Sequence, residues 1–382
     1  MLYFTKLKVL LVYLFISFIC FFTALNFIPN DIKPFDKNIN LGLDLQGGSY
    51  LLLEIDNRPV VLQKIQNKFL VLKKKLKVKN ITYRNIKIDN DKINFYIETE
   101  SIDKFIEFFT NKESEINNYY PKFNSYEFDY TIDENEVKIF YSKFGLIELK
   151  NSSIDQALEI VRRRINELGT NEPNILKRGN DRILVELPGL DDPARIKNLL
   201  GKTANLTFRF IAQNDEENFG IEKLQFDNGE SEAFVNKRII LNGDNLQDAQ
   251  PRMDNRTNET VVSFTLDRVG AKKFAKATTN GVGRKLAIVL DNKIISAPVI
   301  RDAIVSGSGQ ISGNFNFQSA TDLALLLRSG ALPAPLNIIE ERTVGPDLGQ
   351  DSINAGIISL IIGFTLVIIF MFIKYKFFGL IA

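Results

Sequence analysis

Two uncharged stretches, one at each end of the chain, constrain this sequence more than anything between them. Ile353 to Ile373 is an apolar run closed by Lys374 and Lys376. About 20 such residues at ~1.5 Å each cross the ~30 Å hydrocarbon core of a bilayer. Val9 to Ile28 is a second run without a charge, preceded by Lys6 and Lys8. A cleaved secretory signal has a shorter apolar region and small residues at its exit. Here Phe22-Thr23-Ala24-Leu25-Asn26 puts Phe where a small residue belongs, so the residues favour an uncleaved span. Lysines outside both runs predict that both termini are cytoplasmic and that residues 29–352 lie on the other side. Ser17, Cys20 and Ala24 share one face of the first span, and Ala355, Ser359 and Gly363 one face of the second. Such spacing lets helices pack closely in lipid, although ordinary small-residue content gives the same pattern.

A chain of 382 residues is long enough for two or three domains between such spans. Its net charge of +2 provides no general field for nucleic acid. There is no histidine, and the single cysteine, Cys20, lies inside the first apolar run. Imidazole-dependent catalysis, Cys/His zinc sites and internal disulfides are thereby excluded. No EF-hand spacing, nucleophile–base pair or cofactor loop is found, so the sequence predicts a protein without catalytic, metal or cofactor residues.

Leu41 to Asp56 alternates apolar residues around Gly47-Gly48, the pattern of a strand with a bend or close backbone approach. Asp44 sits on its polar face, where a solvated or turn-capping carboxylate is the plain reading. A helix over Val60–Val78, a hairpin around Asp89-Asn90-Asp91, a helix over Ile102–Ile116 and a hairpin over Tyr126–Tyr141 follow. With the first strand these give a β-α-β-β-α-β order, the mark of an α+β layer. Lys73-Lys74-Lys75 reads as a solvated helix end. Ser152 to Asp155 offers a cap for a helix reaching Leu168, with Arg162-Arg163-Arg164 as its solvated or salt-bridged flank. A strand over Arg182–Leu187, a helix over Asp192–Leu200 and a strand over Asn205–Ala212 come next. Gln213 to Glu259 is polar and weakly periodic, as in a protruding mobile insertion. Order resumes with a strand over Val261–Leu266, a helix over Gly270–Thr279 and a strand pair about Asp291-Asn292. A strand over Gly309–Gly313, a helix over Ala320–Arg328 capped by Ser319, and Leu336–Glu341 complete the region.

Two motifs mimic chemistry. Gly201-Lys202-Thr203 lacks the upstream glycine of a phosphate loop, having Ile196 there, and it closes a helix where that loop opens one. Ser101-Ile102-Asp103-Lys104 fits S-x-x-K without its partner motifs and reads as a helix cap.

LGLDLQGG (Leu41–Gly48), RRRINELGTNEP (Arg162–Pro173), RILVELPG (Arg182–Gly189), LAIVLDNKIISAPVI (Leu286–Ile300) and LRSGALPAPL with EERTVGPDLGQ (Leu327–Gln350) together resemble the SecD family. The resemblance covers residues 41–56 and 152–382, while residues 57–150 match less clearly. It implies a subunit of the bacterial inner membrane that works with SecF beside the SecYEG-type channel. Such a subunit draws unfolded secretory polypeptides outward on the proton gradient and takes no cofactor. It also implies a ferredoxin-like base and a movable head on the periplasmic side. Family-motif positions fall on Asp44, Gly47, Gly48, Arg342, Gly345, Pro346 and Gly349, where the residues themselves indicate only backbone geometry or a junction.

The domain layout expected on this basis starts with a membrane helix in 1–28 and a first α+β subdomain in 29–150. A ferredoxin-like base in 151–205 and 286–341 holds a mobile head in 206–285. A connector in 342–352 then leads to a second membrane helix in 353–373, and residues 374–382 begin a cytoplasmic loop or third span. SecD proteins have six spans with a proton-handling carboxylate in the fourth. No acid lies within Val9–Ile28 or Ile353–Ile373, so no intramembrane carboxylate is present in this chain. A fragment, a truncated product or half of a split protein are all expected to look this way. The competing function class is a non-pumping extracytoplasmic scaffold or inactive remnant.

Overall fold

The computed structural model describes residues 6–24, 47–169, 173–189, 193–213, 220–229, 231–254, 258–344 and 346–376. In chain order, α1 (Lys6–Ala24) precedes β1 (Gly48–Ile55), α2 (Arg58–Val78), β2 (Tyr83–Asp89), β3 (Lys92–Ile97) and α3 (Ile102–Phe109). Then come β4 (Tyr119–Tyr120), β5 (Ser125–Tyr126), β6 (Phe128–Asp133), β7 (Glu136–Tyr141), α4 (Lys143–Glu167), β8 (Asn174–Arg178), β9 (Arg182–Pro188) and α5 (Pro193–Gly201). The next run is β10 (Leu206–Phe210), β11 (Ile221–Phe226), β12 (Glu232–Asn236), β13 (Leu241–Asn242), β14 (Leu246–Met253) and β15 (Thr260–Leu266). Last are α6 (Arg268–Asn280), β16 (Leu286–Leu290), β17 (Lys293–Ser296), β18 (Ser308–Phe315), α7 (Phe317–Ser329), β19 (Leu336–Val344) and α8 (Pro346–Tyr375).

The chain divides into two units, Met1–Gly47 with Val344–Ala382, and Gly48–Thr343. In the first, Asp351–Tyr375 is long and apolar enough to cross a membrane, the one such helix among the described residues. The expected N-terminal span is a helix of 19 residues whose apolar stretch, Leu10–Ile19, is shorter.

The second unit is built on a four-stranded sheet of order β19-β1-β9-β8. Gly48 lies opposite Pro188 and Glu54 opposite Arg182, while β8 pairs antiparallel with β9. Asp56 N–H donates to Pro335 C=O at the end of β1, so β19 starts there and runs back along it. Alternate residues Leu51, Leu53 and Ile55 meet Ile183, Val185 and Leu187 and pack under Ile154, Val161 and Ile165 of α4 and Ile196 and Leu200 of α5. This is the ferredoxin-like βαββαβ layer, formed by β1, α4, β8, β9, α5 and β19. Two insertions split it: a small domain between β1 and α4, and the head between α5 and β19.

Pairing thus redraws the expected boundaries. The small domain does not contain β1; it is an αββαββ layer with sheet order β2-β3-β7-β6. Its core joins Ile65, Leu72 and Leu76 of α2 to Phe95, Phe105, Phe109 and Val137. Residues 286–315 leave the base, because β16 and β17 belong to the sheet β12-β11-β17-β16-β10-β13 and β18 belongs to β14-β15-β18. The first of these sheets curls until Ile211 bridges Val235. LAIVL of β16 is buried along its whole length because Ala287 and Val289 face the interior of that curl. Leu286, Ile288 and Leu290 face the main head core of Phe208, Phe264 and Phe274. The supposed mobile insertion 213–259 holds β11 to β14. It reads as weakly periodic because β11 buries no residue fully, β12 only Val235 and β14 only Ala249, so little apolar alternation is required of them.

Helix boundaries shift for local reasons. Ser142, not Ser152, caps the long base helix, its Oγ accepting from Gly145 N–H at 2.8 Å. Asn316, not Ser319, caps α7. Helix α3 ends at Phe109, well before Ile116. The expected connector 342–352 is shared between β19 and α8, with Pro346 at the helix start, where its missing N–H costs nothing.

Candidate functional site at the joint between base and head

The head hangs on two chain segments, residues 202–205 leaving α5 and residues 330–335 returning from α7. They run side by side, with Leu332 N–H donating to Thr203 C=O at 2.8 Å. Arg164, near the end of α4, reaches into them with 0% of its surface exposed. Its Nη1 donates to the carbonyls of Leu199 (2.7 Å) and Lys202 (2.5 Å). Its Nη2 donates to those of Thr203 (3.3 Å) and Gly330 (3.2 Å). One planar guanidinium therefore satisfies carbonyls from both connections at once, which a lysine ammonium has no geometry to copy. Burial pushes the Arg164 guanidinium down to about 10, opposed by the charge of Asp291, and it remains a cation at neutral pH.

The N–H side of the outgoing segment is held from the head. Asp291, first residue of a two-residue β16–β17 turn with φ 49 followed by Asn292 at φ 65, accepts from the Thr203 hydroxyl. It also accepts from Ala204 N–H (3.0 Å) and Asn205 N–H (2.9 Å). Between the two grips Ala204 is held at φ 58, a left-handed conformation a Cβ disfavours. Farther out, Arg328 of α7 pairs with Glu167 at 2.6 Å and donates to Ala249 C=O, and Arg195 of α5 pairs with Asp322 of α7 at 2.8 Å. Beside the joint opens a polar cleft of about 800 Å³ between small domain, base and head, lined among others by Lys64, Glu148, Arg209 and Asp244.

The head carries a cavity of its own, about 560 Å³, with Ile239, Phe210 and the cations Arg238, Lys273, Lys276 and Arg284 in its wall. The Arg284 guanidinium lies 4.4 Å from the Phe210 ring centroid. A Cβ on Gly281 would come within 2.6 Å of that ring, so the glycine is what lets it lie there.

Of the expected motif residues, Asp44 and Gly345 fall outside the described residues. Gly47 (φ 71) and Gly48 (φ 132) are buried where β1 begins, in conformations that call for glycine. Arg342 is exposed in β19, pairs with Glu340 at 2.8 Å and lies 6.0 Å over the ring of Tyr50 in β1. The motif's two halves are thus brought together on adjacent strands of the base. Pro346 and Gly349 lie in the first turn of α8. None of the described ones contributes a contact to the joint. Arg164 lies in RRRINELGTNEP and Asp291 in LAIVLDNKIISAPVI, and no sequence signal separates them from their neighbours.

Residues 37–57 match the SecD/SecF GG motif, residues 154–213 the N-terminal P1 domain of SecDF, and residues 221–334 the SecDF P1 head subdomain. The protein translocase subunit SecD of Rickettsia conorii is 38% identical over 97% of this chain and 72% of its own length. The chain belongs to the SecD family. The SecD subunit of Acetobacter pasteurianus is 39% identical over 94% of this chain and 71% of its own. A solved SecDF in a super-membrane-facing form is 26% identical, with a TM-score of 0.49. That alignment covers 92% of this chain and 37% of the solved one. The SecD head match, 221–334, spans β16 to β18 and α7, as the pairing does.

Proposed function

We propose that this chain is a SecD-type subunit that assists export of polypeptides across the bacterial inner membrane by gripping the emerging chain with its head. It acts without catalysing a reaction, beside SecF and the SecYEG-type channel. Its termini are cytoplasmic and residues 29–352 periplasmic. The proton-motive force enters through membrane elements of the assembly other than the described part of α8. The observation that carries this reading is the joint. The head has its own strands and core, is tied to the base through two adjacent connections, and is held there by polar contacts together with Leu199 of α5 and Leu168, which pack against its core. Polar grips around a strained Ala204 suit a body that changes position, and a cavity with mixed cationic and apolar walls suits sequence-tolerant capture.

A photo-crosslinker at Ile239, tested against a stalled secretory chain, is expected to label that chain. Labelling only from base positions, or from none, overturns the capture assignment. The absence of a carboxylate within Ile353–Ile373 favours a second reading, a non-pumping scaffold. Restored secretion in a SecD-depleted cell supports the first, and failure with a correctly inserted chain supports the second.

A further inference from the structure

Residues 57–88 contain ten lysines and arginines and no aspartate or glutamate. The structure shows where these charges go. Arg58 pairs with Asp56, Lys68 with Glu127, Lys75 with Glu115 and Arg84 with Glu98. Among the described residues, Lys73, Lys74 and Lys77 of α2 have no carboxylate within ion-pair distance. The inner side of α2 is accounted for by Ile65, Leu72 and Leu76 in the small-domain core. Its outer side is not merely solvated. Leu70 is 65% and Val78 67% exposed, and at helical spacing they bracket the three unpaired lysines along two turns.

Leu70 and Val78, at the two ends of the lysine cluster, give this cationic face an apolar component. Unpaired ammonium groups on long stems around exposed apolar side chains suit a surface with anionic groups outside and hydrocarbon just beneath. There, lysines reach the phosphate level while the apolar side chains enter the acyl boundary. The same chain is tethered to such a surface, because α8 is long and apolar enough to cross a membrane. We propose that the α2 face formed by Leu70, Lys73, Lys74, Lys77 and Val78 docks the small domain on an anionic phospholipid surface. Because α4 is locked to the small domain through Ser142 and Gly145, the same contact steadies the base against which the head is jointed. The inference rests on the membrane helix and the unpaired charges, and it stands whether or not the head captures secretory chain.

The test uses the full chain in lipid nanodiscs, with Cys20→Ser and Val78→Cys carrying an environment-sensitive fluorophore. In discs containing phosphatidylglycerol, spin-labelled lipid is expected to quench the probe several-fold more than in pure phosphatidylcholine discs. High salt should remove the difference, as should Lys73→Gln/Lys74→Gln/Lys77→Gln, three exposed changes that leave the core intact. Far-ultraviolet circular dichroism confirms that the triple variant is folded. Equal quenching in both disc types, or quenching indifferent to the lysines, overturns the proposal. Protection produced by added polyglutamate but not by anionic lipid also overturns it, and assigns the face to an acidic protein partner.

Discussion

The two ends of helix α4 hold their neighbours by opposite means. At its start, Ser142 Oγ donates to Tyr126 C=O and accepts from Gly145 N–H, and Gly145 lies so close to the small domain that a Cβ would fall 2.1 Å from Glu127 C=O. Backbone meets backbone there, and close packing has few alternative arrangements. At its end, Arg164 holds the head's connections through side-chain hydrogen bonds of 2.5 to 3.3 Å, and Arg328–Glu167 and Arg195–Asp322 add partly exposed pairs. The two partly exposed pairs are exchanged for water at modest cost, whereas the buried Arg164 contacts are costly to lose. The difference teaches that the small domain meets the base backbone to backbone, whereas the head meets it through side chains.

Removing the joint's centre should have the largest effect. Arg164→Met leaves several buried carbonyls without donors, and about 4 kcal/mol of local stability should be lost. Hydrogen exchange in the full chain should then speed up at Asn205 and Leu332 while β3 and β7 stay protected. If protection falls equally in both domains, the joint is not separable from the rest. Gly145→Ala is the converse, costing about 2 kcal/mol through overpacking against Glu127. It should loosen the small domain and leave the amides of Ala204 and Asn205 unchanged. Ser142→Ala loses a helix cap worth about 1 kcal/mol, read as earlier fraying of α4 at its first turn in the same exchange experiment. Smallest of all, Asp322→Asn breaks a partly exposed pair and should cost under about 1 kcal/mol. Its signature is a greater spread of head–base distances between spin labels, without a change in melting temperature.

Legibility followed the range of the interactions. The turns at Asp89-Asn90-Asp91 and Asp291-Asn292 were readable because positive φ at adjacent Asn and Asp residues is a local matter. The apolar run of β16 was readable as a strand, whereas its two buried faces were not. Arg162, Arg163 and Arg164 are indistinguishable in sequence, yet the first two pair with Glu159 at the surface and the third is wholly buried. One helical step of about 100° separates those fates, and only the position of α5 and the returning segment decides which side is inside. The GG stretch was legible as a close backbone approach, and its neighbour, the Arg342 strand, was not.

The sequence alone determined the membrane helix after Ser352, the absence of imidazole and thiol chemistry, most helices and hairpins, and the SecD resemblance. All of these depend on residue type and short spacing. Only the tertiary structure decided that β1 belongs with β9 and β19, that the head extends to α7, and that Arg164 with Asp291 forms its joint. Alternation tells a strand which face to bury but not which partner to take, and a charge is silent about its counterpart until the chain has closed around it.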